Sequence, residues 1–152
     1  MKIGITSDHA AHGLRLDLIP RLRDSGYDIV DRGPATGERT DYAIWGARLA
    51  REVAEGVFDL GIAICGSGIG ISIAANKTKG IRAACVSEAY SAAMSRRHNN
   101  ANILCFGARV VGPDVALEIC KAFLSTHFEG GRHEGRVAQL QQLDAGDTSF
   151  AD

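Results

Sequence analysis

LGIAICGSGIGISIAANK, residues 60–77, decides the fold class. Leu60, Gly61, Ile62, Ala63 and Ile64 make a short apolar run, rich enough in β-branched side chains to be a buried strand. Cys65 follows directly, then the glycine-rich turn Gly66-Ser67-Gly68-Ile69-Gly70, and a helical segment is predicted from Ile71. Strand, glycine turn and helix start form a cradle for an anion. Glycine lets the backbone come close to a ligand, and the helix start offers unpaired N–H groups at a positive dipole end. The same field favours negative charge on sulfur. Cys65 is therefore a candidate base or nucleophile above a hole for a phosphate or an enediolate. A plain packing role is the competing reading, because cysteine is among the most buried residue types. The dinucleotide fingerprint GxGxxG fails at Ile71, although Glu88 lies about where a ribose-binding acid is expected.

The flanking sequence alternates in the same way. Strands are predicted over 2–7, 27–30, 81–86 and 102–106. Helices are predicted over 11–23, 41–55, 88–97, from Gly112-Pro113-Asp114 to about His127, and over 132–143. In the first helix Leu14, Leu16, Leu18, Ile19 and Leu22 mark the apolar face, with Pro20 as a possible bend and Gly26 as the stop. Asp41 is placed to cap the second helix, where Trp45, Leu49 and Val53 recur four apart. Strands alternating with helices predict an α/β protein whose parallel sheet is covered on both faces. No repeat or linker divides it, so residues 1–143 read as one domain and 144–152 as a frayed acidic tail. Ligands in such sheets bind beyond the C-terminal ends of the strands. Asp8, His9, Cys65, Ser67 and Arg109 gather at that edge.

Composition narrows the function. A 152-residue chain with net charge −1 carries no basic surface for nucleic acid or anionic membrane. No apolar run nears membrane-spanning length, and Asp8 comes too early for a secretory signal. The cysteines at 65, 85, 105 and 120 have no CxxC spacing, which fits reduced thiols in a cytoplasm. The five histidines form no HxH or HExxH pattern, so no metal is expected.

Other residues carry two readings each. Asp8 and His9 can grip or protonate a ligand, or serve as an N-cap with a surface histidine beside it. Arg132 and Arg136 are four apart and share a helix face. That face is either solvated or built for a phosphate, whose oxygens match guanidinium forks. His98-Asn99-Asn100 is a usual helix terminator.

The runs SDHA (7–10), RTDY (39–42), CGSGIGISIAANK (65–77), GIRAA (80–84), SRRHNNANIL (95–104), FGARVVG (106–112) and FEGGRHEGRV (128–137) together resemble the ribose-5-phosphate isomerase B family and its galactose-6-phosphate isomerase relatives. The resemblance spans the chain from first strand to last helix. It implies a three-layer αβα Rossmann-like domain with a five-stranded parallel sheet, assembled as a homodimer or tetramer with sites shared between subunits. It implies no metal and no organic cofactor. It makes Cys65 the base that moves a proton between carbons 2 and 1 of a sugar phosphate. Ser67 and the amides of Gly66, Gly68, Ile69 and Gly70 hold the enediolate oxygen. His98, with Asp8 nearby, opens the sugar ring. His9, Arg132 and Arg136 grip the phosphate, joined by Arg109, and Asn99 and Tyr42 meet sugar hydroxyls. Ser67 stands where many members have Thr, and Ala43-Ile44-Trp45 replaces the usual Pro-x-Tyr.

The expected function is interconversion of ribose 5-phosphate and ribulose 5-phosphate in the pentose phosphate pathway. The alternatives are another sugar phosphate (allose 6-phosphate, galactose 6-phosphate or a four-carbon ketose phosphate) or a non-catalytic nucleotide-binding module. A four-carbon aldose 4-phosphate cannot close a furanose and needs no ring opener, so His98 favours a cyclising sugar.

Overall fold

The computed structural model describes residues 1–151. Strands Lys2–Ser7 (β1), Asp28–Asp31 (β2), Leu60–Cys65 (β3), Ala83–Cys85 (β4) and Ile103–Gly107 (β5) alternate with helices His12–Asp24 (α1), Tyr42–Ala54 (α2), Ile69–Ala75 (α3), Ala89–Asn99 (α4) and Pro113–Ser125 (α5). Helix Glu134–Asp144 (α6) follows, and short 3-10 turns cover His9–Ala11, Gly131–His133 and Ser149–Ala151. The five strands form one sheet in the order β2-β1-β3-β5-β4, every pair parallel.

Side-chain alternation along the strands builds the three layers. Ile3, Ile5, Ile62, Ile64, Leu104 and Phe106 face α1 and α5, where Leu18, Leu22, Ile119 and Phe123 complete one core. Ala63, Cys65, Ile103 and Cys105 point the other way and join Leu49, Val53 and Ile71 of α2 and α3. Both faces are covered, so the central strands β3 and β5 are apolar and buried throughout, while polar residues stand in β1 and in the edge strand β2.

The sheet order places the site. From β1 the chain moves outward to β2, then crosses back to lay β3 on the other side of β1. The segments leaving β1 and β3 therefore diverge, and a crevice opens between Asp8 and Cys65. This is the switch point at which α/β sheets take ligands.

Several details differ from the sequence expectation. Helix α3 begins at Ile69, two residues early, because Gly68 turns the chain with φ +80° and serves as its N-cap. Strand β4 has three residues rather than six. The buried face of α1 consists of Arg15, Leu18, Ile19 and Leu22, while Leu16 is exposed. Pro20 sits within α1 without ending it. Asp41 holds the N-cap position of α2, but its side chain makes no capping bond. Asp144, the first residue of the expected tail, ends α6 and accepts the Gly80 N–H at 2.8 Å. The tail's last residue, Asp152, lies outside the described residues. No helix among the described residues is long and apolar enough to cross a membrane.

Candidate active site

Cys65 is the last residue of β3 and is buried. Its Sγ accepts the Gly68 N–H at 3.1 Å. A backbone donor at the start of α3 is thus aimed at the sulfur. The other thiols are less suited to act as bases. Burial pushes Cys105 and Cys120 upward, and Cys85 is raised for the same reason first.

The loop that presents this donor is held from two sides. Ala108 N–H donates to Cys65 O at 2.9 Å and Arg109 N–H to Gly66 O at 3.0 Å, so the turn after β5 is laced to the loop. Gly68 leaves no room for a side chain. A Cβ there would lie 2.6 Å from the Phe106 carbonyl carbon. Gly70 does the same for an aromatic ring, since its Cβ would lie 2.7 Å from Tyr42. Ser67 is exposed, and its Oγ accepts the Ile69 N–H at 3.3 Å.

Asp8, Tyr42, Cys65, Gly66, Ser67, Gly70 and Arg109 line one cleft of about 330 Å³, together with Val110. Asp8 is buried, and one carboxylate oxygen accepts the N–H groups of Ala10 at 2.9 Å and Ala11 at 3.3 Å. It is both an N-cap and a wall of the cleft, so the two readings of Asp8 are compatible. His9 turns its Nδ1 to the Thr40 carbonyl at 2.9 Å. Arg109 is exposed and makes no ion pair among the described residues.

His98, Asn99, Arg132 and Arg136 are not in this cleft. His98 and Asn99 end α4, and Asn100 closes it with φ 47°. The chain then enters β5, so this end of α4 lies at the N-terminal edge of the sheet. Gly107, not Ile103, is the β5 residue that pairs with Cys65. The His98 and His133 rings stack there with centroids 4.3 Å apart, and Glu129 lies 3.9 Å from His98 Nε2. Arg132 belongs to the 3-10 turn and donates to His133 Nε2 at 3.3 Å, while Arg136 is on α6. Burial, then the charges of His98, Arg132 and Arg136, pushes His133 below its ordinary range. His98, Glu129 and His133 bring possible metal ligands within 4.8 Å of one another. The two flanking guanidiniums make this corner better suited to an anion than to a cation.

Sequence reasoning missed three residues that shape the site. Arg15 carried no local signal beyond a charge on what proved to be the buried face of α1. Thr40 lies in the run RTDY and Trp45 in the four-apart series of α2, but only the fold shows that Trp45 Nε1 donates to Thr40 Oγ1 at 3.0 Å. Glu88, weighed as a ribose ligand, caps α4 by accepting the Ser91 N–H at 2.9 and 3.0 Å.

The Ribose/Galactose Isomerase family model matches residues 3–140. Ribose-5-phosphate isomerase B of Escherichia coli (strain K12) is 46% identical over 143 residues, which is 94% of this chain and 96% of that protein. The structure of Clostridium thermocellum ribose-5-phosphate isomerase B superposes with a TM-score of 0.93 at 47% identity, covering 96% of this chain and 99% of that one. Ribose-5-phosphate isomerase B from Mycoplasma genitalium, solved with bound ribulose-5-phosphate, superposes at 0.91 with 37% identity over 95% of this chain and 96% of that one. The match runs through β1, the glycine loop and α6 alike: the chain belongs to the Ribose/Galactose Isomerase family.

Proposed function

We propose that this enzyme interconverts ribose 5-phosphate and ribulose 5-phosphate through an enediolate, with Cys65 as the base. The relatives' activity supports the reaction. The observation that carries the assignment of the base is Cys65 Sγ facing the Gly68 N–H in the switch-point crevice.

An aldose–ketose isomerase needs one base near both carbons, donors for the developing oxyanion and a grip on the remote phosphate. The Cys65 thiolate takes the proton from carbon 2 of the open-chain aldose. The electron pair moves into the carbon 1–carbon 2 bond, and the carbonyl oxygen becomes the enediolate oxygen. The hydroxyl of Ser67 and the amides of Gly66 and Gly70 meet that charge, while the Gly68 N–H serves the sulfur and the Ile69 N–H holds Ser67 Oγ. Sulfur then returns the proton to carbon 1, and the carbon 2 hydroxyl proton passes to the carbon 1 oxygen. His98 and Asp8 open the furanose beforehand. His9, Arg132, Arg136 and Arg109 hold the phosphate, while Asn99 and Tyr42 meet hydroxyls.

His98 stands at the opposite sheet edge from Cys65, and a strand spans roughly 17–20 Å, too far for one sugar to touch both. We therefore place His98, Asn99, Arg132 and Arg136 of one protomer in the cleft of a two-fold partner. Four free thiols fit action in a reducing cytoplasm.

The test is a coupled assay across ribose 5-phosphate, allose 6-phosphate, galactose 6-phosphate and a four-carbon ketose phosphate, with Cys65→Ala beside wild type. Ribose 5-phosphate should have the highest kcat/KM. Cys65→Ala should lose roughly 10²–10⁴-fold in turnover and stop exchanging solvent deuterium at carbon 2, with sugar-phosphate binding retained. Continued exchange in the variant moves the base elsewhere. A higher kcat/KM for another sugar reassigns the substrate.

A further inference from the structure

The segment between β2 and α2, residues 32–41, is clamped at both ends by side chains with no part in the chemistry above. At its start stands Arg15, only 1% exposed. Its guanidinium donates to Ser7 Oγ at 3.1 Å and Pro34 O at 2.7 Å, and it lies 3.2 Å from Asp31. Gly33 makes space for it, since a Cβ there would lie 1.6 Å from Arg15 Nη1. At the segment's end the Trp45 indole N–H reaches back from α2 to Thr40 Oγ1 at 3.0 Å. Arg48 covers the Trp45 ring, its guanidinium 5.2 Å from the centroid.

Thr40 is the link to the site. Its carbonyl meets His9 Nδ1 at 2.9 Å, and its own N–H lies 3.3 Å from the same nitrogen. With Nδ1 committed to Thr40, the His9 ring is fixed and Nε2 is left for a ligand.

We propose that Trp45 is a positioning residue for the phosphate end of the site, acting through Thr40 on His9, with Arg15 holding the far end of the same segment. The inference rests on the phosphate-gripping role of His9 given above. A histidine held by a rigid segment meets the phosphate without first losing ring freedom, so the clamp acts on binding of the phosphate end and not on proton transfer at Cys65.

Trp45→Phe keeps the ring and removes the one donor. Thr40→Val keeps the backbone that holds His9 and removes the one acceptor. Each should raise KM for ribose 5-phosphate about three- to tenfold, the range expected for one neutral hydrogen bond, and leave kcat within about twofold. Inorganic phosphate, measured by calorimetry, should weaken by a similar factor. The double variant should match either single one, and Trp45→Phe should add nothing in a His9→Asn background. A purely structural Trp45 lowers Tm and leaves KM and phosphate affinity where they were, which overturns the inference. Additive effects with His9→Asn overturn it too. Wild-type protein that neither turns over ribose 5-phosphate nor binds phosphate overturns the underlying reading and this inference with it.

Discussion

A methyl group at position 68 has nowhere to go. Gly68 holds φ +80°, where a side chain is strained whatever the space, and the Phe106 backbone blocks the place a Cβ would take. Gly68→Ala should therefore cost about 1–3 kcal/mol of stability, read as a lower urea midpoint. It should also abolish most activity, because the N–H that faces Cys65 Sγ belongs to the displaced residue. Wild-type kcat at reduced stability would show that the sulfur does not depend on that amide. At this scale the sequence was legible wherever chemistry is local. Cys65 and its loop are contiguous, and Asp8 caps a turn two and three residues on. Arg15 was not legible, because its partners Ser7, Asp31 and Pro34 come from both ends of β1–α1–β2 and meet only after β1 and β2 pair. The four-apart spacing of Trp45, Leu49 and Val53 places Trp45 on one face of α2, but that its indole N–H points back at Thr40 is set by the helix start.

Elements were read more reliably than their ends. All five strands and all six helices lie where the alternation puts them, since short β-branched runs bounded by turn residues alternate with longer stretches of helical spacing. The start of α3 was missed because the glycine turn ends in a left-handed residue, and helical geometry begins immediately after it. Leucine spacing alone does not show that an arginine is a buried member of the α1 face. The junction of the 3-10 turn and α6 makes a prediction of its own. His133 is held below its ordinary value near 6.5, first by burial and then by His98, Arg132 and Arg136. The unfolded chain thus takes up a proton that the folded chain resists. The contribution of His133 is fully present above about pH 6.5 and is lost as pH falls below it. Tm measured from about pH 7.5 down to about 5.5 should fall, and His133→Phe should flatten that part of the slope. An unchanged slope would assign the pH dependence to other groups.

At the scale of the whole molecule the residues read as one site occupy two opposite edges of the sheet. The sequence could name both sets, because each sits in a recognisable run, but a single chain has no geometry that joins them. The shared site we propose is testable by complementation. Cys65→Ala and His98→Ala homodimers should each be impaired on ribose 5-phosphate. Unfolded together and refolded, they should recover roughly a quarter of wild-type activity, since about half the dimers are mixed and each has one intact site of two. No recovery, in a sample shown by mass spectrometry to contain mixed dimers, would place the whole site within one chain. The position of Cys65 at the end of a fully buried central strand has a further consequence. Amides of β3 should open only when the whole domain does, whereas those of α6, packed within the chain by Val137 and otherwise largely exposed, should exchange through local fluctuation. On warming, the half of the site carrying the sulfur should keep its shape until the cooperative transition, and the half carrying Arg132 and Arg136, held through the partner in the shared site we propose, should loosen as the two chains part. Affinity for the phosphate should then fade several degrees before the proton-transfer step does.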